Sequence, residues 1–213
     1  MRVLALSLLL ATGSVAKAAD VDVVVTDATG RALEGAVAWL VPTGGTAALP
    51  SPARAIIDQR GRQFVPRVSV VQTGASVEFP NSDNIRHSVY SFSTPKPFTL
   101  KLYSGRPAAP VSFDKPGVVL LGCNIHDTMV AWIAVVDSAW FGRSDAGGRL
   151  TLRGVPAGPY QLHLWHPGQL QAVAPRALDV APNTPGLSLQ LDATDIATLI
   201  KAAVGHGSHG ESS

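Results

Sequence analysis

Apolar and polar residues alternate over short stretches of this chain, and a period of two predicts β-strands. Residues 77–79 (VEF) and 160–164 (YQLHL) show this alternation clearly. Residues 118–121 (VVLL) are apolar throughout, which predicts a central strand buried on both faces, and residues 130–136 (VAWIAVV) carry apolar side chains on both faces of another. Because Gly, Pro, Asn and Asp separate these runs, the pattern predicts an all-β protein.

Three segments of this β-protein differ in character. They comprise residues 20–48, 54–137 and 138–192. In the first segment, a turn at residues 27–30 (DATG) separates two predicted strands, and in the third a turn at residues 145–148 (DAGG) precedes another strand. A stretch rich in Gly, Thr, Ala and Pro, residues 43–53, predicts a linker before the middle segment.

The first and third segments resemble parts of one known sandwich. DATGRALEGAVAWLVP and SDAGGRLTLRGVPAGPYQLHL resemble the transthyretin-like, carboxypeptidase-regulatory type of β-sandwich. The resemblance implies that residues 20–48 and 138–192 form one small sandwich, and that the middle segment is inserted at a loop, where insertions are tolerated. The alternative is that residues 20–48 add strands to the middle domain.

The N-terminus has the features of a secretory signal peptide. Arg2 precedes an apolar run, residues 3–10, and residues 16–18 (AKA) offer a cleavage site. The apolar run is too short to span a bilayer. We therefore expect residues 1–18 to be removed, the mature protein to be periplasmic and no stable membrane insertion to remain. An uncleaved N-terminal anchor is the alternative.

The C-terminal segment, residues 193–213, changes composition again. It predicts a short helix over residues 195–204, capped by Thr194. The Gly-, Ser- and His-rich end that follows cannot bury enough apolar surface to fold, and we expect it to be disordered.

Charge excludes one class of partner. Removal of the signal peptide takes away Arg2 and Lys17 and leaves 15 basic residues against 15 acidic ones. Nucleic-acid binding requires a concentrated basic face, so no such partner is predicted. One region is nevertheless locally basic, as solvated loop arginines or as a surface that steers an acidic redox partner. Its arginines are Arg54, Arg60, Arg62, Arg67 and Arg86.

Candidate chemistry centres on the single cysteine of the chain. Cys123, His126 and Met129 follow one another at intervals of three residues, and a tight loop can turn all three side chains toward one atom. A thiolate, an imidazole and a thioether are ligands that suit copper. A lone cysteine in an oxidising compartment can also be a buried inert residue, an intermolecular disulfide former or a reactive thiol. Met129 can equally fill core space.

A trigonal copper site needs a second histidine, and the chain offers few. His163 and His166 fall in the third segment, where we expect structural or surface roles, and His206 and His209 fall in the tail. The remaining candidate is His87. It follows a polar loop between two predicted strands, and only tertiary folding can bring it to the cysteine.

Residues 55–137 resemble the cupredoxins, the plastocyanin-like family of small copper proteins. FVPRVSVVQTGASVEFPNSDNIRHSV and GVVLLGCNIHDTM carry the resemblance, and the C-x₂-H-x₂-M spacing is similar to that of amicyanins. Over residues 20–167 the chain also resembles proteins of the methylamine-utilisation or plastocyanin-domain type. The resemblance implies one type 1 copper ion, electron transfer through the exposed loop histidine, and a cytochrome or periplasmic dehydrogenase as partner. The implied ligands are His87, Cys123, His126 and Met129.

The chain departs from the cupredoxin pattern around these positions. Leu121 and Gly122 stand before the cysteine, where aromatic residues are common, and Ser88 stands where an Asn often braces the ligand loop. Hydrogen bonds to ligands tune such sites, so neighbouring polar residues matter. The candidates for this role are Asn81, Asn84, Ser88 and Asp127.

The sequence therefore predicts an exported single-electron carrier and not an enzyme. A Cys–His nucleophile pair is conceivable, but no oxyanion loop accompanies it and the methionine would have no role. Zinc bound by one Cys and two His is chemically feasible, although copper binds more tightly in the divalent series. Two further hypotheses remain. In one, the protein delivers copper to, or helps to mature, a redox enzyme such as methylamine dehydrogenase; in the other, it is a docking scaffold with a vestigial copper site.

Overall fold

A computed structural model describes residues 18–44, 52–107 and 109–205. The predicted signal peptide up to residue 17, most of the predicted linker and the tail from residue 206 lie outside these ranges. Within them the protein is built almost entirely of β-strands packed as sandwiches, and the predicted fold class is confirmed. None of the described helices has the length and apolar character needed to cross a membrane.

The described ranges contain seventeen strands and one helix. The first nine strands are β1 (Ala19–Asp27), β2 (Val37–Pro42), β3 (Ala55–Ile56), β4 (Asp58–Gln59), β5 (Phe64–Val65), β6 (Val68–Gln72), β7 (Ala75–Glu78), β8 (His87–Ser91) and β9 (Phe98–Tyr103). The remaining elements are β10 (Val111–Phe113), β11 (Gly117–Leu121), β12 (Ala131–Val136), β13 (Trp140–Arg143), β14 (Arg149–Val155), β15 (Gly158–Trp165), β16 (Arg176–Val180), β17 (Leu187–Leu191) and α1 (Ile196–Gly205).

The strands at the two ends of the described chain form one sandwich, here called the outer sandwich. One sheet has the order β14-β1-β17 and the other the order β13-β2-β15-β16. Alternate residues of β1 point inward, as its regular burial pattern requires, and Leu40, Leu152 and Tyr160 complete the core between the sheets. Strands β1 and β2 therefore pair with strands that follow residue 139, and the intervening chain leaves and re-enters between β2 and β13.

Strands β3 to β12 form the second sandwich, here called the middle sandwich. Its sheets have the orders β10-β7-β3 and β11-β12-β6, with the hairpins β8-β9 and β4-β5 at the side. Phe64, Phe79 and Phe113 are fully buried in its core. Complete burial of one such side chain contributes about 1.5–3 kcal/mol, so this apolar interior is the rigid support on which the connecting loops rest.

One sequence prediction about the middle sandwich is wrong. Residues 118–121 were expected to be buried on both faces, yet Val118 is 37% exposed and Leu120 is 47% exposed. Strand β11 alternates because only one of its faces packs on the core. The face that carries Val118 and Leu120 is covered at the neighbouring β12, where Ala134 meets the outer sandwich, but it is open to solvent at β11. Strand β12, paired on both sides, is the strand that is apolar on both faces.

The two sandwiches share a small apolar contact. Val37 of β2, Val68 of β6 and Ala134 of β12 are buried together, and partly buried tryptophans pack around them. Where the chain returns to the outer sandwich, the Ser138 hydroxyl donates to the Leu40 carbonyl at 2.6 Å. These contacts join β12 to β2 directly.

Helix α1 begins one residue later than predicted and has a different cap. The Asp195 carboxylate, not the Thr194 hydroxyl, accepts a hydrogen bond from the Thr198 N–H at 2.9 Å. A carboxylate at this position satisfies a free N–H and complements the helix dipole. Ile196 packs at the contact between the sandwiches, so α1 is tied to the fold at its first turn.

Candidate metal centre

Three of the predicted ligands meet at one end of the middle sandwich. One ligand atom from each of His87, Cys123 and His126 lies within 4.8 Å of the other two. The Cys123 Sγ is 3.8 Å from His87 Nδ1, and the two imidazole rings lie edge to face with their centroids 5.1 Å apart. His87 is the first residue of β8, whereas the other two lie in the loop between β11 and β12. Tertiary pairing therefore closes a gap of 36 residues.

The pairing that positions the cysteine is a short antiparallel bridge. The N–H and C=O groups of Tyr90 and Gly122 exchange two hydrogen bonds of 3.0 Å. A Cβ atom at position 122 would lie 2.6 Å from the Tyr90 ring, so glycine is needed where the ring covers the strand. The aromatic residue that the sequence lacks before Cys123 is thus supplied across the bridge by Tyr90.

Ser88 braces the ligand loop. Its buried hydroxyl accepts the Asn124 N–H at 3.0 Å and lies 3.8 Å from the Cys123 sulfur, to which it donates. This contact spans the same gap between β8 and the loop after β11. A donor to the sulfur withdraws electron density from it, which is one of the means by which proteins adjust a metal thiolate.

The other three polar candidates have different surroundings. The Asn81 amide donates to the carbonyls of Ile85 and Tyr103 at 2.9 and 2.8 Å, so it shapes the loop before His87 and does not cross to the ligand loop. Asn84 and Asp127 are exposed. Among the four polar candidates, Ser88 makes the contact with the ligand loop that was expected of an Asn.

Burial and hydrogen bonding test whether the cluster suits a metal. His87 is completely buried and Cys123 is 3% exposed. His126 is half-buried, and its Nδ1 is shielded from solvent without a hydrogen-bond partner in the described part of the chain. A buried polar atom left without a partner costs about 1–3 kcal/mol. One sulfur and two imidazoles, one of which has a buried nitrogen without a partner, form a donor set that fits a thiophilic ion.

Asp83 also touches the cluster, although it was not among the predicted site residues. Its Oδ2 lies 2.8 Å from His87 Nε2. Burial raises the pKa of Asp83, but hydrogen bonds from the Arg62 N–H, the His87 ring and the Gly61 N–H outweigh that effect and hold the pKa below its usual value. The signal was an acidic residue four positions before the ligand histidine, which has no meaning until the loop conformation is known.

Met129 belongs to the ligand loop between β11 and β12. It is fully buried within the core of the middle sandwich, and its N–H donates to the His126 carbonyl at 2.9 Å. This burial is what a packing residue shows, and axial ligation stays a prediction.

The remaining described histidines belong to the outer sandwich. His163 stacks on Trp39 with the ring centroids 4.8 Å apart. His166 is fully buried, its Nδ1 accepts the Gly168 N–H at 3.1 Å, and its Nε2 lies 3.0 Å from the Glu34 carbonyl. Burial lowers the pKa of both histidines. His206 and His209 lie outside the described residues.

Part of this chain is similar to several solved structures. No protein-family model and no curated protein matches the chain. The chain is similar to the Cu-containing nitrite reductase (NirK) from Thermus scotoductus SA-01, at 28% sequence identity and a TM-score of 0.37, over 45% of this chain and 25% of that one. It thus spans a quarter of the length of the nitrite reductase.

Two small copper proteins show similarities of the same order. One is a purple cupredoxin from Nitrosopumilus maritimus, with 19% identity, a TM-score of 0.35, and coverage of 38% of this chain and 99% of that one. The other is the reduced Cu(I) form at pH 4 of the P52G mutant of amicyanin, with 16% identity, a TM-score of 0.35, and coverage of 44% and 87%. All these TM-scores are below 0.5. The assignment of a metal to the cluster therefore rests on the geometry of its three side chains.

Proposed function

We propose that this protein holds one copper ion at His87, Cys123 and His126 and carries single electrons. The observation behind the proposal is the convergence of one thiol and two imidazoles within 4.8 Å, with His126 Nδ1 buried and without another partner in the described ranges. One thiolate with two imidazoles is the trigonal set of type 1 copper sites, in which Met129 would be the weak axial ligand.

The surroundings of the cluster suit electron transfer. Bound copper would supply a one-electron couple between Cu(II) and Cu(I). The chain supplies a buried thiol and a buried imidazole on a packed β-core, which keeps the donors in one arrangement and excludes water. His126, the most exposed of the three, is the route by which an electron would leave or enter. No group for acid–base or nucleophilic catalysis is invoked, so the proposed role is that of a carrier and not an enzyme.

Location and partners belong to the same proposal. The predicted signal peptide places the mature protein in the periplasm, where a cytochrome or a dehydrogenase would exchange electrons with it. Copper binding accounts for a lone cysteine in an exported protein, because a metal-bound thiolate is not available for a disulfide. The role of a copper-delivery or maturation factor is the competing form of the proposal, and the two differ in how readily Cu(I) is released.

The finer family assignment rests on strand pairing and on the sequence resemblance. We infer a cupredoxin domain inserted into a transthyretin-like sandwich, in a protein of the methylamine-utilisation type. In support, β1 pairs with β14 and β2 pairs with β15 across the whole middle sandwich. The proposed boundaries are residues 20–48 and 138–192 for the outer sandwich and residues 54–137 for the inserted one.

Copper titration of the purified mature protein tests the proposal. Cu(II) is expected to bind at one equivalent and to give an intense blue colour from charge transfer between thiolate and metal. Cys123→Ser removes the sulfur and should abolish the colour, whereas His163→Gln, in the outer sandwich, should leave it unchanged. A colourless wild-type complex, or a blue Cys123→Ser variant, contradicts the type 1 assignment.

A second measurement separates carrier from delivery factor. A carrier is expected to be reduced and reoxidised reversibly by a cytochrome without loss of copper. Rapid transfer of Cu(I) to a competing chelator, on the time scale of that electron exchange, would instead favour the delivery role.

A further inference from the structure

The buried histidine of the cluster is held from both sides of its ring. Its Nε2 meets the Asp83 carboxylate at 2.8 Å, and its Nδ1 faces the Cys123 sulfur at 3.8 Å. An ionised carboxylate only accepts hydrogen bonds, so Nε2 must carry the proton of a neutral imidazole. The Nδ1 lone pair of His87 is then directed toward the thiol, where a metal would lie.

Asp83 is itself held by backbone donors. The N–H of Gly61 donates to Oδ1 at 2.6 Å and the N–H of Arg62 donates to Oδ2 at 2.9 Å. Both residues have a positive φ, 60° for Gly61 and 57° for Arg62. A positive φ is uncommon for a residue other than glycine. The hairpin between β4 and β5 thus adopts a conformation that directs two consecutive N–H groups at this carboxylate.

The carboxylate is also shielded from water. The Asp83 side chain is 13% exposed and the His87 side chain is 0% exposed. A charge in such a position is screened less than one at the surface, and its influence on a neighbouring ion is correspondingly larger. Asp127 differs in this respect, because it lies beside His126 but is exposed.

We propose that Asp83 is a positioning residue for the metal centre, which fixes the tautomer of His87 and lowers the reduction potential of the copper. The inference rests on the proposed function. A carboxylate that accepts the distal N–H of a ligand imidazole orients the ring and makes it a stronger donor. A stronger donor and a nearby negative charge both favour Cu(II), the more highly charged state, over Cu(I).

Redox titration of three variants tests the effect on the metal. Asp83→Asn retains an oxygen that can accept from His87 but removes the charge, and it should weaken the preference for Cu(II) by about tenfold, which for a one-electron couple is a rise in potential of about 59 mV. Asp83→Ala should raise the potential further. Asp127→Asn removes an exposed charge beside another ligand and should shift the potential by much less.

A measurement on the copper-free protein tests the positioning directly. Nitrogen-15 NMR of the His87 ring should show one neutral tautomer, protonated at Nε2, in the wild type. Asp83→Ala should populate both tautomers, and thermal unfolding should show whether that variant is folded. If Asp83→Ala does not fold, the reduction potential of Asp83→Asn and the His87 tautomer of the wild type test the proposal instead.

The outcomes separate this inference from the proposed function. A wild-type protein that binds no copper contradicts the proposed function, while the tautomer still reports on Asp83. A blue wild-type protein whose potential does not rise in Asp83→Asn, or rises no more than in Asp127→Asn, overturns the inference. A wild-type His87 protonated at Nδ1 overturns it as well.

Discussion

Each of the two sandwiches contains one completely buried histidine, and the two histidines differ in what their nitrogens face. In the outer sandwich, His166 accepts from the Gly168 N–H and donates to the Glu34 carbonyl, so both nitrogens are satisfied by backbone. In the middle sandwich, His87 has a carboxylate on one side and a thiol on the other, with the ring of His126 at 5.1 Å.

Burial alone therefore does not distinguish a ligand from a structural histidine. Burial lowers the pKa of His166, although the Glu34 carbonyl opposes the shift, and the neutral ring links two backbone segments. Neither ring nitrogen of His166 is available to bind a metal, because each already has a hydrogen-bond partner. A metal site needs a ligand atom that has no other partner, and among the described residues of the middle sandwich His126 Nδ1 is such an atom.

Two buried serines repeat the contrast. In the outer sandwich, the Ser144 hydroxyl donates to the Leu33 carbonyl at 2.7 Å and accepts the Ala36 N–H at 2.8 Å, so it only ties backbone together. In the middle sandwich, the Ser88 hydroxyl accepts one backbone N–H and turns its proton to the Cys123 sulfur. The same residue type stabilises a turn in one region and acts on a candidate ligand in the other.

The largest expected effect comes from removing each buried histidine in turn. His87→Ala removes a proposed ligand and should cost more copper affinity than the 10–100-fold that is typical when a residue supporting a ligand is lost. His166→Ala should leave copper binding intact but lower the free energy of unfolding by about 1–3 kcal/mol, because the buried Gly168 N–H and the partly buried Glu34 carbonyl lose their partner.

Copper titration and urea unfolding of the copper-free proteins measure both effects. His166→Gln, which retains a donor and an acceptor on a shorter side chain, is the matched control for the stability loss. If His166→Ala weakens copper binding as much as His87→Ala does, the distinction between the two buried histidines is wrong.

Met129 lies between these two cases, since it is buried like a core residue and has the sequence spacing of a ligand. Met129→Leu conserves volume and should cost less than about 1.5 kcal/mol in the copper-free protein. If the sulfur ligates, the same variant should change the blue absorption, the EPR spectrum and the potential. Met129→Ala should leave a cavity and cost about 2–5 kcal/mol.

Leu152→Ala is the corresponding cavity variant in the outer sandwich, where Leu152 is also fully buried. It should destabilise the protein to a similar extent and leave the copper spectrum unchanged. A Met129→Leu protein with the spectrum and potential of the wild type would identify Met129 as a packing residue only.

Sequence reasoning identified the residues whose chemistry is readable from their type. The spacing of Cys123 and His126 indicated the ligand loop, the scarcity of other histidines left His87 as a candidate, and the resemblance to cupredoxins linked it to that loop. The fold brings these three residues together. The alternation of apolar residues sufficed for the all-β class. The ligand types and the all-β class depend on side-chain chemistry and on local periodicity, which a single sequence contains.

What sequence reasoning missed depends on contacts between distant strands. Asp83 becomes significant only because the hairpin at residues 61–62 directs two N–H groups at it. Tyr90 supplies the missing aromatic ring only through the bridge to Gly122. Val118 and Leu120 are exposed because the outer sandwich covers this face of the sheet at β12 and not at β11, and a run of apolar residues does not show which strand a second sandwich will cover.

The smallest expected effect concerns acid stability of the outer sandwich. The Asp27 carboxylate accepts from the hydroxyl and the N–H of Thr29 and from the N–H and the side chain of Arg31. Its hydrogen bond with the Thr29 side chain is the main cause that lowers the pKa of Asp27 to about 2, against the opposing effect of burial. An unfolded chain titrates this group near pH 4, as in model peptides.

The sign of the effect follows from that difference in pKa. The charged carboxylate contributes stability above about pH 4, and this contribution is lost as the pH falls toward 2, because the unfolded state takes up the proton first.

Asp27→Asn keeps a side-chain oxygen that can accept from Thr29 and Arg31 but has no charge to lose. The stability advantage of the wild type over Asp27→Asn should therefore shrink between pH 4 and pH 2 in thermal unfolding of the copper-free proteins. Because Asp27 and its partners belong to the outer sandwich, the copper spectrum at pH 7 should be the same in both. An advantage that stays constant across that range would mean that the Asp27 contacts act through geometry and not through charge.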